Sequence, residues 1–236
     1  MELSKQHWTI EDGKDFQKFL IGCGNTEKAE WATRILNTAM PVLAIPTPKI
    51  NEIVKQIASG NFLELLNLNL WQYYENSAVN GSLIMKIKDF DLMVKYLLSY
   101  SEKVDNWASC DLLDFKMINE TNKEKFFALS KKFVKADKPF TRRIGLRILF
   151  KFIDDSLYLP QIFEILNGFE AETHYYVNMI NAWLVAECFT KAPEKTLEFL
   201  QTHKLNRFTI NKAVQKCRDS FRVSAEDKEM LLKFKK

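Results

Sequence analysis

Apolar residues recur at three- and four-residue spacing along nearly the whole chain, and this pattern constrains the fold more than any other feature. Phe126, Leu129 and Phe133 form one such series, and Leu146, Leu149, Phe150 and Ile153 form another; each lines one side of an α-helix. No run shows the alternation of a half-buried strand. With 7 glycines and 6 prolines in 236 residues, the chain also lacks the turn formers that a β-sandwich or barrel needs. The expected fold class is all-α.

The punctuation predicts helices over Asp12–Leu20, Thr26–Thr38, Pro48–Ala58, Asn61–Asn80, Asp89–Ser99, Asp105–Ile118, Asn122–Val134, Pro139–Asp154, Leu159–Leu166, Thr173–Thr190, Pro193–Thr202, Thr209–Ser220 and Ala225–Lys233. Pro48, Pro139 and Pro193 stand at helix starts, where a missing N–H costs nothing. Short connections make successive helices antiparallel, and two helices with their loops span about the 40 residues of a HEAT or armadillo unit. The expectation is a HEAT-like, armadillo-type α-solenoid of antiparallel helix pairs, a single domain over residues 1–236; a compact helical bundle is the alternative. The helix from Asp105 favours the solenoid. Ala108, Leu112 and Phe115 fall on one side and Cys110, Leu113 and Met117 nearly opposite, as in a helix sandwiched between layers.

Hydrophobic and charged fractions of 47% and 27% are those of an ordinary globular chain. The start, Met1 to His7, has no apolar signal core, and no apolar run approaches the ~18 residues of a membrane span, so a cytoplasmic location is expected. Cys23, Cys110, Cys188 and Cys217 are far apart and read as buried core residues rather than metal ligands. No metal and no cofactor are expected. A Gly-rich phosphate loop, a His-Glu-x-x-His motif and a Ser-His-Asp signature are all missing, and the three histidines, His7, His174 and His203, have no suitable neighbours.

The formal charge of +4 hides a strong segregation. Ten Lys/Arg stand against two acids from Thr121 to Lys151, and nine against four from Asn206 to Lys236. An anionic partner such as nucleic acid suits such a distribution. On the Asp105 helix, Trp107, Asp111 and Asp114 align at i, i+4 and i+7; the plain reading is a solvated polar stripe, the functional one an aromatic-carboxylate edge. Arg143, Arg147 and Lys151 follow at i, i+4 and i+8, and such like-charge neighbours call for an anionic partner, either Asp154 and Asp155 or a phosphate backbone. Trp183 reads either as core or as a third site aromatic.

These motifs together resemble the AlkD-like DNA glycosylases. Trp107-Ala108-Ser109-Cys110-Asp111 is similar to the family's Trp-x-x-x-Asp motif, Thr141-Arg142-Arg143-Ile144-Gly145 to its Arg-Arg-x-Ala-Ile helix, and Val42 to Lys49 to its Gly-Ile-x-Thr-Pro segment. Trp183 falls where the family carries a later tryptophan, and the likeness runs roughly from Glu30 to Ser220. The resemblance implies a solenoid whose concave face holds duplex DNA and collects Trp107, Asp111, Arg143 and Trp183. It also implies excision of cationic alkylated purines, 3-methyladenine and 7-methylguanine, with Asp111 as catalytic carboxylate and Trp107 and Trp183 as aromatic walls. Arg143, with Arg142, Arg147 and Lys151, would then contact DNA. The partner would be alkylated duplex DNA, the protein a monomer of the bacterial cytoplasm or nucleoid.

Some positions depart from the family's pattern. Met179 and Ala186 stand where it tends to carry basic residues, Ile35 where it carries an aromatic, and Ala44 where it carries glycine. Together with the stretch from Thr209 to Lys216, these mark a divergent branch. Three functions therefore compete: the glycosylase, a non-catalytic HEAT-like DNA-binding protein, and a helical scaffold for an acidic protein partner.

Overall fold

The computed structural model describes residues 1–236 and contains fourteen α-helices and no strand. No helix is long and apolar enough to cross a membrane. The chain divides into two compact units, Met1–Met117 and Ile118–Lys236. The first holds α1 (Ile10–Cys23), α2 (Thr26–Leu36), α3 (Thr47–Ile57), α4 (Phe62–Asn67), α5 (Tyr74–Ile84), α6 (Phe90–Ser101) and α7 (Trp107–Asp111). The second holds α8 (Lys123–Phe133), α9 (Pro139–Leu149), α10 (Leu159–Asn167), α11 (Tyr175–Lys191), α12 (Pro193–Thr202), α13 (Arg207–Asp219) and α14 (Ala225–Leu231), followed by a 3-10 turn at Leu232–Phe234.

Local sequence sets many of the starts. Thr9 and Asp12 close a reciprocal capping box on α1, while Asn25, Asp89 and Asn206 cap α2, α6 and α13 through side-chain oxygens, satisfying N–H groups that a helix leaves without partners. Proline occupies the first turn of α3, α9, α10 and α12.

Packing follows a rule of alternation in both units. In the first, α5 lies against α3 and α7 and is also contacted by α4 and α6; in the second, α11 lies against α9 and α13, with α8 on α9 and α12 on α11. Every second helix thus stacks on the next and the others cover them, as in HEAT-like repeats. The central helices are enclosed as a result: α5 buries nine of its eleven residues and α11 ten of seventeen. The all-α, HEAT-like expectation holds.

Three helices differ from their predicted extents by more than a turn. The single helix expected over Asn61–Asn80 is two, because Asn69 adopts a left-handed backbone (φ 56°) and the connection is fixed by Asn80 Nδ2 donating to the Leu70 carbonyl (3.0 Å). The helix expected over Asp105–Ile118 ends at Asp111. Phe115 turns left-handed (φ 46°), which lets Leu113 and Phe115 both reach the core. Asp114 accepts the Lys116 N–H (3.2 Å) in a turn, so the alignment of Trp107, Asp111 and Asp114 and the two-sided helix argument both fail. Finally, α9 stops at Leu149 instead of Asp154: Lys151 and Phe152 donate to the carbonyls of Ile148 and Leu149 (both 3.0 Å), tightening the chain so that adjacent Phe152 and Ile153 are both buried. Lys151 therefore lies outside the helix that carries Arg143 and Arg147.

Candidate nucleic-acid interface

Helix α7 has only five residues, too few to be stable alone, so its surroundings must hold it. Asn106, fully buried, caps it by accepting the Ser109 N–H (2.9 Å). The Ser109 hydroxyl meets that of Ser77 (2.7 Å), and the buried Tyr100 hydroxyl donates to the carbonyls of Ser109 (2.8 Å) and Ser77 (3.1 Å). Burial raises the Tyr100 pKa well above its ordinary value, so the phenol stays a donor. Gly81 permits this approach, since a Cβ there would stand 2.7 Å from the Tyr100 hydroxyl and from Leu112 Cδ1. Just before α7, Asp105 accepts from the Thr38 hydroxyl (2.6 Å) and the Ala39 N–H (2.7 Å). On this platform Trp107 and Asp111, both half-buried, stand one helical turn apart. The Trp107 indole N–H donates to the Ile35 carbonyl (3.1 Å).

The segment preceding α3 is built around a buried acidic side chain. The Glu75 carboxylate, 1% exposed, accepts the N–H groups of Leu43 (3.0 Å) and Ile45 (3.2 Å). Between them Ala44 carries φ 56°, the left-handed backbone that glycine adopts without strain. Ala44 therefore carries backbone strain here.

In the second unit Trp183, half-buried on α11, meets Phe150 at a centroid distance of 4.6 Å. The Arg147 guanidinium lies over both rings, 5.4 Å from Phe150 and 5.8 Å from Trp183, a cation held on aromatic faces. The indole N–H of Trp183 donates to Glu187 (3.3 Å), and Glu187 is gripped by both terminal nitrogens of Arg222 (2.5 and 3.0 Å). Cys188 and Cys217 are buried; desolvation, with the Glu187 charge adding to it, pushes both thiols up, leaving them protonated and inert. Cys110 is buried as expected, whereas Cys23 is half-buried.

The basic residues divide. Arg142 pairs with Glu172 (2.8 and 3.2 Å) and donates to the carbonyls of Ala136 and Asp137 (2.9 and 2.6 Å). Glu172 in turn accepts the N–H groups of Thr173 and His174 before α11 (3.0 and 2.8 Å). Arg143 is 5% exposed, and its guanidinium donates to the Tyr176 carbonyl (2.5 Å). Lys151 is exposed. Asp154 and Asp155 pair with Lys191 (3.1 Å) and Lys123 (3.2 Å).

Helices stacked in HEAT-like fashion, carrying half-buried tryptophans beside carboxylates and arginines, define a helical-repeat protein suited to an anionic ligand. The chain belongs to the DNA alkylation repair enzyme family, whose model matches residues 16–217. That membership assigns it to DNA alkylation repair with DNA as its partner. A comparison with curated proteins found no match.

The sequence reading missed Glu187, Arg222 and Phe150 as the frame of Trp183. Glu187 was legible, one helical turn after Trp183. Arg222 was not, because 35 residues separate it from Glu187.

Proposed function

We propose that the protein is a DNA glycosylase that hydrolyses the N-glycosidic bond of cationic alkylated purines, such as 3-methyladenine and 7-methylguanine, in duplex DNA. The observation that carries this reading is the placement of Trp107 and Asp111 one turn apart on α7, a helix rigidly anchored by the buried Asn106, Ser109 and Tyr100, in a chain of this family. A cationic purine is already a good leaving group, so the reaction demands little general acid. It demands negative charge beside the deoxyribose as oxocarbenium character develops, which is the role assigned to Asp111. Trp107 and Trp183 offer indole faces that favour a cationic base over a neutral one, and at Trp183 the Arg147 guanidinium already occupies one face, so a base would use the other. Arg147 and Lys151 are assigned to the DNA backbone; Arg143, expected there from the sequence, is buried on the Tyr176 carbonyl and is assigned to tying α9 to α11. Arg142, occupied by Glu172, is assigned to support of the α9 start. The protein acts as a monomeric single domain that requires no metal or cofactor.

The test is single-turnover release of 7-methylguanine from methylated duplex DNA at matched folded concentration. A transition-state contact of this kind contributes roughly 100–1,000-fold in rate. Asp111→Asn should lower release by that factor and leave binding intact. Equal rates would remove Asp111 from catalysis. A second reading, a non-catalytic DNA-binding protein, is favoured by Met179 and by the buried Ala186, which stand where the family tends to carry basic residues; wild-type binding without release of any cationic base would select it.

A further inference from the structure

The connection between α13 and α14 presents an unusual side chain. Phe221 is 103% exposed, more than any other large apolar residue of the chain, and so forfeits the burial that normally draws phenylalanine inward. Slack does not explain this, because its neighbours are fixed. The Ser220 N–H donates to the Cys217 carbonyl (3.2 Å) and the Arg222 N–H to the Ser220 hydroxyl (3.2 Å). Val223 is buried, and Ser224 caps α14 by accepting the Asp227 N–H (3.0 Å). Above all, Arg222 grips Glu187 with both terminal nitrogens, and Glu187 accepts the Trp183 indole N–H. Phe221 is thus the apolar residue left outward in a pinned loop, next to Arg222, which two side-chain contacts tie to Trp183.

We infer that Phe221 is a base-stacking wedge for duplex DNA, carried on a loop that Arg222 and Glu187 tie to Trp183. This rests on the reading of the chain as a DNA-binding repair protein. Apolar side chains that enter a base step are flanked by cations that hold the phosphates, and Phe221 is preceded within five residues by Lys216 and Arg218, while Arg222 is committed to Glu187. The same charge disfavours the rival occupant, a second copy, since an isologous contact would bring these cations face to face. The wedge assigns a use to the second basic segment, Asn206 to Lys236, which the roles of Asp111 and Trp183 leave without one. Its ligand is a duplex opened at one step, as around an abasic site, where stacking on the ring replaces the stacking that a departed base has lost.

The experiment uses the full chain and a duplex with one tetrahydrofuran abasic analogue beside a 2-aminopurine, compared with the intact duplex. Wild type should bind the abasic duplex more tightly and alter the 2-aminopurine emission at the adjacent step. Phe221→Ala should weaken that binding by about 5- to 150-fold and abolish the emission change, with Phe221→Trp restoring both. Arg222→Ala should reduce the emission change while thermal stability stays near wild type. If wild type binds but Phe221→Ala is indistinguishable from it, the wedge is overturned and the DNA-binding reading stands. If wild type binds neither duplex, both fall. Self-association that Phe221→Ala abolishes without affecting DNA binding would give the residue to a second copy and also overturn the wedge.

Discussion

Trp107 and Trp183 are held by different physics. The first sits in a setting of neutral hydrogen bonds: its indole N–H on a backbone carbonyl, its helix on Asn106, Ser109, Ser77 and Tyr100. The second sits among charges, with its indole N–H on Glu187, Arg222 on Glu187, and Arg147 over its ring. The backbone differs in the same sense. All four non-glycine residues with positive φ, Asn37, Ala44, Asn69 and Phe115, belong to the first unit. The first unit's turns, fixed by buried hydrogen bonds that include those of the Glu75 carboxylate, give a preorganised platform that salt loosens little, whereas exposed charge pairs adjust to an incoming polyanion and are screened by ions.

The largest expected effect tests the neutral side. Asn106→Ala removes the α7 cap and leaves the buried Ser109 N–H without its partner, for a combined loss of about 2 kcal/mol of folding stability, measured by urea denaturation. A loss no greater than that of an exposed cap in the same chain would show that burial adds nothing there. Ala44→Gly bears on the strain. It should stabilise the protein by about 1 kcal/mol, because glycine adopts φ 56° freely while Glu75 continues to hold the flanking N–H groups. An unchanged or lowered stability would mean that freedom gained by the unfolded chain outweighs the strain relieved.

How much of this contrast the sequence reveals follows from how local its causes are. The span Pro193–Thr202 matches α12, since a proline at the start is a signal written at the position it governs. The α7 end at Asp111 is not legible, because it depends on the left-handed Phe115 and on a core that draws in Leu113 and Phe115 from nearly opposite sides of an imagined helix. The alternation of stacked helices follows from periodicity and short loops, whereas the identity of each anchor does not: Asp105 reaches Thr38 across 67 residues and Arg142 reaches Glu172 across 30. Local charge density suggested an interface, but Arg142 and the buried Arg143 show that basic residues in such a run also serve as ties between helices.

The charged setting of Trp183 should respond to salt where that of Trp107 does not. The Glu187–Arg222 pair is half open to solvent on the arginine side, so its worth is within the ~0.2–1 kcal/mol of exposed pairs. Glu187→Gln should therefore cost little stability, but it should alter the quenching of Trp183 fluorescence and remove the dependence of that signal on salt between low and moderate ionic strength. The Trp183 signal is taken as the difference between otherwise identical proteins with and without Trp183→Phe, since Trp8, Trp31, Trp71 and Trp107 also emit. A salt response that survives Glu187→Gln would place its origin in Arg147 instead.

The smallest effect concerns acid. His174 and His203 both belong to the second unit, and burial lowers the pKa of each from the ordinary histidine value, with nearby cations acting in the same direction: Arg142 and Arg143 on His174, Lys236 on His203. Glu172 opposes the shift at His174 without overcoming it. With a folded pKa below the unfolded one, the unfolded state binds more protons as pH falls through about 6.5. The contribution is therefore fully present above that pH and is lost on acidification toward the folded pKa. Asp12 and Asp155 are held low by Lys5 with Thr9 and by the Leu157 N–H with Lys123, and their contributions are lost only at more acidic pH, so the window from pH 7 to 5 isolates the histidines. The melting temperature should fall modestly across it, and hydrogen exchange should show the loss of protection beginning around the His174 and His203 positions of the second unit. His174→Gln with His203→Gln should flatten the slope. Protection lost first around α7 would reverse the contrast, placing the acid-sensitive element beside Trp107 rather than Trp183.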